Sequence, residues 1–334
     1  MDLPASVCEI AEQISLKQQI YSIASEPGST KTKLKLINNG EEIRGDALGK
    51  TAFLARFLVQ CTLPHRDPGD VPIWTRKNGA YMLAIRPGWD HEKNQQKGYP
   101  FGTIPRLILI WMVTEAKRTQ NKTLHLGGRM AEFTRELGLD ASRGGKRSQT
   151  ALIKDQLSRL IASSISYHKY YQTTEWDGEK LRRADLEHTK NLPIVSEAAI
   201  GWWEGTPTLD STIELSADFF AEIMASAVPF DLRAVTMLRK SPLALDLYLL
   251  CNYLGATLST REKASHHMTW KMLGEQLGCD YGDAHDMKRK IKAAMVKVKL
   301  AHHHLKVGFP KRGGIIIYES KPAIARRKPK TDVG

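Results

Sequence analysis

One constant offset relates two parts of this chain, and it confines the fold to architectures built from two related modules. PRLILIWMVTEA (105–116) and GGRMAEFTRELGL (127–139) recur 140 residues later as LALDLYLLCNYL and TWKMLGEQLGC. Leu107, Ile110 and Trp111 sit opposite Leu247, Leu250 and Cys251; Met130, Phe133, Leu137 and Gly138 sit opposite Trp270, Leu273, Leu277 and Gly278. Apolar positions at helical spacing predict two helices per copy. The glycine after the second helix predicts a left-handed cap. A third amphipathic helix is predicted over 147–163, with Ile153, Leu157 and Leu160 inward. Its counterpart lies over 284–300, with Ile291, Met295 and Val298 inward, the offset now being 138.

Strand-like sequence follows each third helix. In the second copy HHHLKV and GIIIYES flank GFPKRGG, a hairpin with a glycine- and proline-rich tip. In the first, SISYHKYYQTTEW and a strand near 192–200 flank a longer charged loop, DGEKLRRADLEHTK. Three helices and a hairpin make the winged variant of the helix-turn-helix. The expected fold class is therefore α+β: two tandem winged-helix domains with an N-terminal extension. The boundaries are drawn at 1–50 for an N-terminal helix and a loosely ordered segment, and 51–205 for the first domain with a preceding β-hairpin signalled by Asn78-Gly79. The second domain is drawn at 206–320 and a basic flexible tail at 321–334. Between the copies, Ser216 is a predicted N-cap ahead of Phe219, Phe220 and Ile223.

Charge gives the first functional direction. A formal net charge of +13 and a pI near 9.5 suit a polyanionic partner, of which nucleic acid is the commonest. The charge is clustered on corresponding elements. SRGGKRSQT opens the third helix of the first copy and supplies Arg143, Lys146, Arg147, Ser148, Gln149 and Thr150. The second copy supplies His285, Lys288, Arg289, Lys292 and Lys299, opposite the apolar stripe, with Lys311 and Arg312 on the hairpin tip. Arginine can read guanine and glutamine adenine, whereas lysines serve mainly as phosphate contacts.

Other signals carry less. RGDALGKT (44–51) is one residue short of a P-loop, and polar, turn-like sequence precedes it where a P-loop needs a buried strand; an ordinary loop before a short helix, TAFLARFL, is expected. Cys8, Cys61, Cys251 and Cys279 are scattered without a C-x-x-C pair, so neither zinc nor a disulfide framework is expected. The longest apolar run, LILIWMV, is too short to span a bilayer. With no signal-like N-terminus, a cytoplasmic protein without membrane association is expected. No cofactor or metal site is expected.

The sequence resembles the plasmid-encoded RepA-type replication initiators. LPHRDP (63–68), KNGAYMLAIRPGW (77–89), GYPFGTIPRLILIWMVTEAKRT (98–119), LGLDASRGGKRSQ (137–149), IELSADFF (213–220) and VPFDLRAVTMLRKSPLALDLY (228–248) carry the likeness. It implies binding to double-stranded DNA at the plasmid origin, at direct repeats (iterons), and recruitment of the host replication initiator and replicative helicase. A homodimer bound to inverted sites, a link to copy-number control and no enzymatic activity belong to the same expectation. Two rivals stand beside it. One is a plain DNA-binding repressor. The other is a rolling-circle nicking initiator, for which His302 and His304 as metal ligands and Tyr167, Tyr170 or Tyr171 as nucleophile are the candidates.

Overall fold

The computed structural model describes residues 29–45, 49–79, 81–127, 149–176, 181–203, 206–207, 211–258, 260, 263–278 and 283–324, with isolated positions in 18–25 and 132–139. The chain mixes helices with small antiparallel sheets and divides into two compact units. One unit is Ala52–Val228 with Trp270–Asp280; the other joins Met1–Thr51, Pro229–Thr269 and Tyr281–Gly334. Strands β1 (Thr51–Ala55) and β13 (Ala227–Asp231) lie where the chain passes from one unit to the other.

The first unit is built on α3 (Thr103–Thr119), whose residues Pro105–Val113 are all buried. That stretch includes a charge, Arg106. Its guanidinium donates to the carbonyls of Leu63 (2.6 Å), Pro64 (3.1 Å) and Gly102 (2.6 Å), so LPHRDP is a strap that satisfies a buried cation. Against α3 pack α4 (Gln149–Ala162) and α5 (Ala217–Ser226). Ser216 caps α5 by accepting from the Phe219 N–H at 3.1 Å. Short α2 (Arg56–Gln60) supplies Phe57, Leu58 and Val59 to the core.

A four-stranded sheet runs in the order β2 (Trp74–Asn78), β3 (Tyr81–Arg86), β7 (Ser164–Trp176), β8 (Leu181–Asn191). The hairpin appears where Asn78-Gly79 signals it, with Asn78 opposite Tyr81 and Gly79 at φ +57°. A second sheet orders β6 (Thr123–His125), β12 (Thr212–Leu215), β9 (Val195–Ala199). Two small hairpins complete the unit, β4 (Gly88–Asp90) with β5 (Gln95–Gly98) and β10 (Trp202–Trp203) with β11 (Thr206–Pro207). Helix α8 (Trp270–Leu277) packs on β2. Its cap, Gly278 at φ +60°, leaves room for the Arg76 guanidinium; a Cβ there would fall 1.4 Å from Nη2.

The second unit centres on α7 (Pro242–Leu258), most of whose residues are buried. Around it pack α6 (Leu232–Leu238), α9 (Ala284–Ala301) and β16 (Ile315–Tyr318). Buried Asn252 is satisfied at both ends, donating to the Pro229 carbonyl and accepting from the Ala323 N–H. Helix α1 (Thr30–Gly45) lies against α6 and α9, with Gly40 close to Leu300. The sheet order is β14 (Ser265–Met268), β16, β15 (Val307–Gly308). Each copy of the repeat therefore places the strand after its first helix beside the last strand of a closing hairpin, as β6-β12-β9 and as β14-β16-β15.

Four local expectations are corrected. Residues 30–45, expected to be loosely ordered, form α1, because Ile43 and the small Gly40 give the stretch a buried side that its polar composition hides. TAFLARFL is strand β1 and then α2, not one helix, and the GKT motif thus follows a helix and precedes a strand, the reverse of a P-loop. Most of the charged loop after SISYHKYYQTTEW is strand β8, paired with β7 from Trp176↔Leu181 to Ser166↔Asn191, and the strand near 192–200 is β9, which pairs with β12, so the hairpin expected between those two stretches does not form. HHHLKV is mostly not strand: α9 runs to Ala301, His302 caps it, and pairing begins only at Val307.

Candidate nucleic-acid interface

Helix α9 begins at a strong cap. Asp283 accepts from the His285 N–H at 2.9 Å, and Asp286 puts a second carboxylate in the first turn, where the helix dipole favours it. Met287, Ile291, Met295 and Val298 are buried at the spacing of one face. That fixes the opposite face as the outer one. His285, Arg289 and Lys292 are exposed on it, and Lys288 is half-buried. Lys299 differs: it is half-buried in the last turn, burial pulls its pKa below the usual lysine value, and it sits where a cation complements the carbonyl end of the helix.

The outer face has internal order. Arg289 Nη2 donates to Asp286 Oδ1 at 2.6 Å and Lys290 Nζ to Asp286 Oδ2 at 2.7 Å. Hydrogen bonds from Lys290 and then Arg289 hold the Asp286 carboxyl below its ordinary pKa. Asp286 thereby pre-positions both cations on the first two turns.

The hairpin after α9 brings a second basic element to the same face. Phe309, Lys311 and Arg312 are exposed between β15 and β16, and Lys292 Nζ lies 5.6 Å from the Phe309 ring centroid. The hairpin is anchored from below. Ile315 and Ile317 are buried while Ile316 and Tyr318 face outward, the period of a half-buried strand. His267 hydrogen-bonds the Gly313 carbonyl at 2.7 Å. Lys290 and Phe309 were missed by the sequence reading. Lys290 stood in the basic run KRKIK, and Phe309 in the hairpin tip GFPKRGG.

In the first copy the picture is partial. Arg143, Lys146, Arg147 and Ser148 lie outside the described residues. Gln149 is exposed at the start of α4, whereas Thr150 is buried beside it. Ile153, Leu157 and Leu160 are buried, as the period requires, and Leu152 is exposed on the outer face.

The residues weighed for nicking fall in both units, His302 and His304 in the second and the three tyrosines in the first. His302 is 3% exposed and edge-on to Tyr248. Tyr167 packs between Phe57 and Tyr81. Tyr170 is hydrogen-bonded to Glu187, and the Tyr171 side chain lies outside the described residues. Among the described residues no group of three His, Cys, Asp or Glu side chains is arranged to hold a metal ion. Cys61 and Cys251 are buried free thiols, both pushed up to about 12 by burial; Cys8 and Cys279 lie outside the described residues. No helix of the described residues is long and apolar enough to cross a membrane.

No curated protein matches the chain significantly. Among solved structures, the crystal structure of domains 2 and 3 of RctB matches with a TM-score of 0.47 at 12% identity, covering 79% of this chain and 95% of that one. A second crystal structure of RctB domains 2–3 matches with a TM-score of 0.41 at 9% identity, covering 78% and 94%. The family model described as plasmid encoded RepA protein matches residues 99–272, from the start of the first repeat copy through the beginning of α8 and over just half of the chain. The chain belongs to the family of plasmid-encoded RepA proteins, the replication initiators that its sequence motifs resemble.

Proposed function

We propose that the protein initiates plasmid replication by binding direct repeats in the double-stranded origin through two winged-helix modules. The observation that carries this reading is the α9 face: a basic surface opposite a buried stripe, joined to a basic hairpin tip through Lys292 and Phe309. The shared sheet order of the two repeat copies, first strand beside last strand beside middle strand, supports the winged-helix assignment. On this reading α9 and α4 are the helices that enter major grooves, and the β15–β16 hairpin is a wing on the flanking backbone. Arg289 and Gln149 contact base edges; Lys288, Lys292, Lys311 and Arg312 contact phosphates. Recruitment of the host initiator and helicase follows DNA binding, and the chain's own contribution is recognition without catalysis. A dimer on inverted sites would serve autoregulation.

The test is a filter-binding titration on the origin fragment of the plasmid that encodes this chain, with plasmid replication in cells as the second readout. The triple variant Lys292→Ala/Lys311→Ala/Arg312→Ala is expected to lose origin binding and replication together while staying folded. Retention of both would remove this face from the function.

A further inference from the structure

The C-terminal end of α9 carries a feature that DNA recognition does not use. A cleft of about 540 Å³ opens there in the second unit, walled by Arg44, Asp231, Arg233, Lys321 and the imidazoles of residues 302–304. That volume is in the range of small-molecule sites. Along α9 it lies about 21 Å from Lys288, from fourteen residues at the helical rise, and so well away from the proposed base-reading turns.

The charge on its walls is not balanced. Asp231 is neutralised in place: Arg233 Nη2 sits 2.7 Å from its Oδ2, and Arg233 Nε reaches both oxygens at 3.1 and 3.2 Å. Arg44 and Lys321 remain, with no ion pair among the described residues. His302 adds a second signal. It is 3% exposed, yet its Nε2 is buried without a hydrogen-bond partner. Buried polar atoms are nearly always partnered, and His302 is one of the residues that line the cleft. Burial, with smaller contributions from His303 and His304, lowers its pKa to about 3. The ring is then neutral at physiological pH, and its Nε2–H tautomer donates one hydrogen bond to an oxyanion. Arg44 also complements the carbonyl end of α1, in whose last turn it stands. That role leaves the opening and the orphan nitrogen unexplained.

We propose that this cleft binds a soluble phosphate ester of nucleotide size, with the phosphate held by Arg44 and Lys321 against the edge of His302. A planar guanidinium and a mobile ammonium are a common pairing for phosphate oxygens.

The experiment is calorimetric titration of the full chain with ATP, AMP and inorganic phosphate, without DNA, followed by imidazole nitrogen NMR of the ATP complex. Saturable binding of a nucleotide is expected, with a shift of the His302 Nε2 resonance. Arg44→Gln and Lys321→Gln should each weaken it by about tenfold or more, the size of one charge-assisted hydrogen bond. Lys306→Gln, an exposed neighbour outside the cleft, should leave it unchanged, and duplex affinity should be the same in all three variants. Three outcomes overturn the proposal: no saturable binding of any of the three probes at millimolar concentration; equal weakening by Lys306→Gln, which means diffuse attraction; or loss of duplex binding in Arg44→Gln or Lys321→Gln without nucleotide binding, which makes the cleft a contact for the DNA backbone.

Discussion

Lys292 Nζ lies 5.6 Å from the centroid of the Phe309 ring, so the third turn of α9 and the tip of the following hairpin share one contact. Both residues are exposed, and the ring takes no part in the core. The contact is worth about 0.5–1 kcal/mol at an exposed site, enough to bias the hairpin tip without fixing it. Lys292→Ala should weaken binding to all duplex sequences alike and flatten the plot of log K against log[salt] by about 0.9. Phe309→Ala should keep the slope and lower affinity modestly. A salt slope unchanged in Lys292→Ala would place that lysine off the phosphates.

Arg289 is held by Asp286 in the free protein, and this makes its proposed role testable in two directions. As a base reader, Arg289→Ala should cost about 1–3 kcal/mol on the cognate site and relax preference at one position. Asp286→Asn removes both the tether and a carboxylate that would face phosphates on the proposed binding mode. It should tighten non-specific binding more than cognate binding and so reduce their ratio. Competition titrations with cognate and scrambled duplexes measure both variants. If Arg289→Ala weakens cognate and scrambled duplexes equally, the residue is a phosphate clamp.

The parts of this site legible in the sequence are those that depend on period. The stripe Met287, Ile291, Met295, Val298 could be read from 3.6-residue spacing, and it fixed which charges face outward. Ser216 and Asn78-Gly79 could be read because a cap and a tight turn are set by one or two residues. What could not be read depends on distant partners. Helix α1 has little amphipathic pattern and owes its place to α6 and α9. Strand β8 is highly charged, and its pairing with β7 is specified by backbone hydrogen bonds along eleven residue pairs. The Lys292–Phe309 contact joins residues seventeen apart across a helix end and a turn, beyond any local rule.

The hairpin depends on a glycine that no other residue replaces cheaply. Gly314 has φ +87°, and a Cβ on it would lie 2.0 Å from the Met268 carbonyl oxygen, a backbone atom of the neighbouring strand. Gly314→Ala combines a disfavoured backbone region, about 1–2 kcal/mol, with a clash that only strand separation relieves. The expected result is lower stability in urea at an unchanged m-value and, separately, a DNA affinity that falls towards that of the Lys311→Ala/Arg312→Ala variant. Wild-type affinity in a folded Gly314→Ala protein would detach the hairpin from recognition.

His302 should make the second unit sensitive to acid. Its pKa is lowered to about 3 in the fold by burial, with His303 and His304 adding to the effect, against about 6.5 in the unfolded chain. Arg44, Lys321 and the Asp231–Arg233 pair also line this region. The unfolded state therefore binds the proton first. The stabilisation is complete above about pH 6.5 and falls as the pH drops towards 3, reaching a loss of about 2 kcal/mol at pH 5. Chemical denaturation at pH 7 and pH 5 measures this, and His302→Asn should flatten the difference. An equal pH dependence in that variant would assign the acid sensitivity to other groups.

The repeat makes its own prediction about DNA. A chain with two modules that each fill one major groove protects about two helical turns, roughly 20 bp, since successive grooves are about 10–10.5 bp apart. On the proposed binding mode the two helix faces differ: Gln149 and Leu152 are exposed on α4, while His285, Arg289 and Lys292 are exposed on α9. Different side chains at the grooves select different bases, so the two half-sites should differ and the monomer site should be asymmetric. Asymmetric sites arrayed for many copies of one chain run as direct repeats. A symmetric dimer instead requires an inverted arrangement, because its two-fold axis must coincide with that of the DNA. Footprinting on the origin with titrated protein, paired with mass measurement of each complex, separates the two. The expected result is one protomer per repeat, with Arg289→Ala relaxing one half of each footprint and Gln149→Ala the other. Occupancy of a single palindrome by dimers alone, with no protection of direct repeats, would favour a repressor and sink the initiator reading.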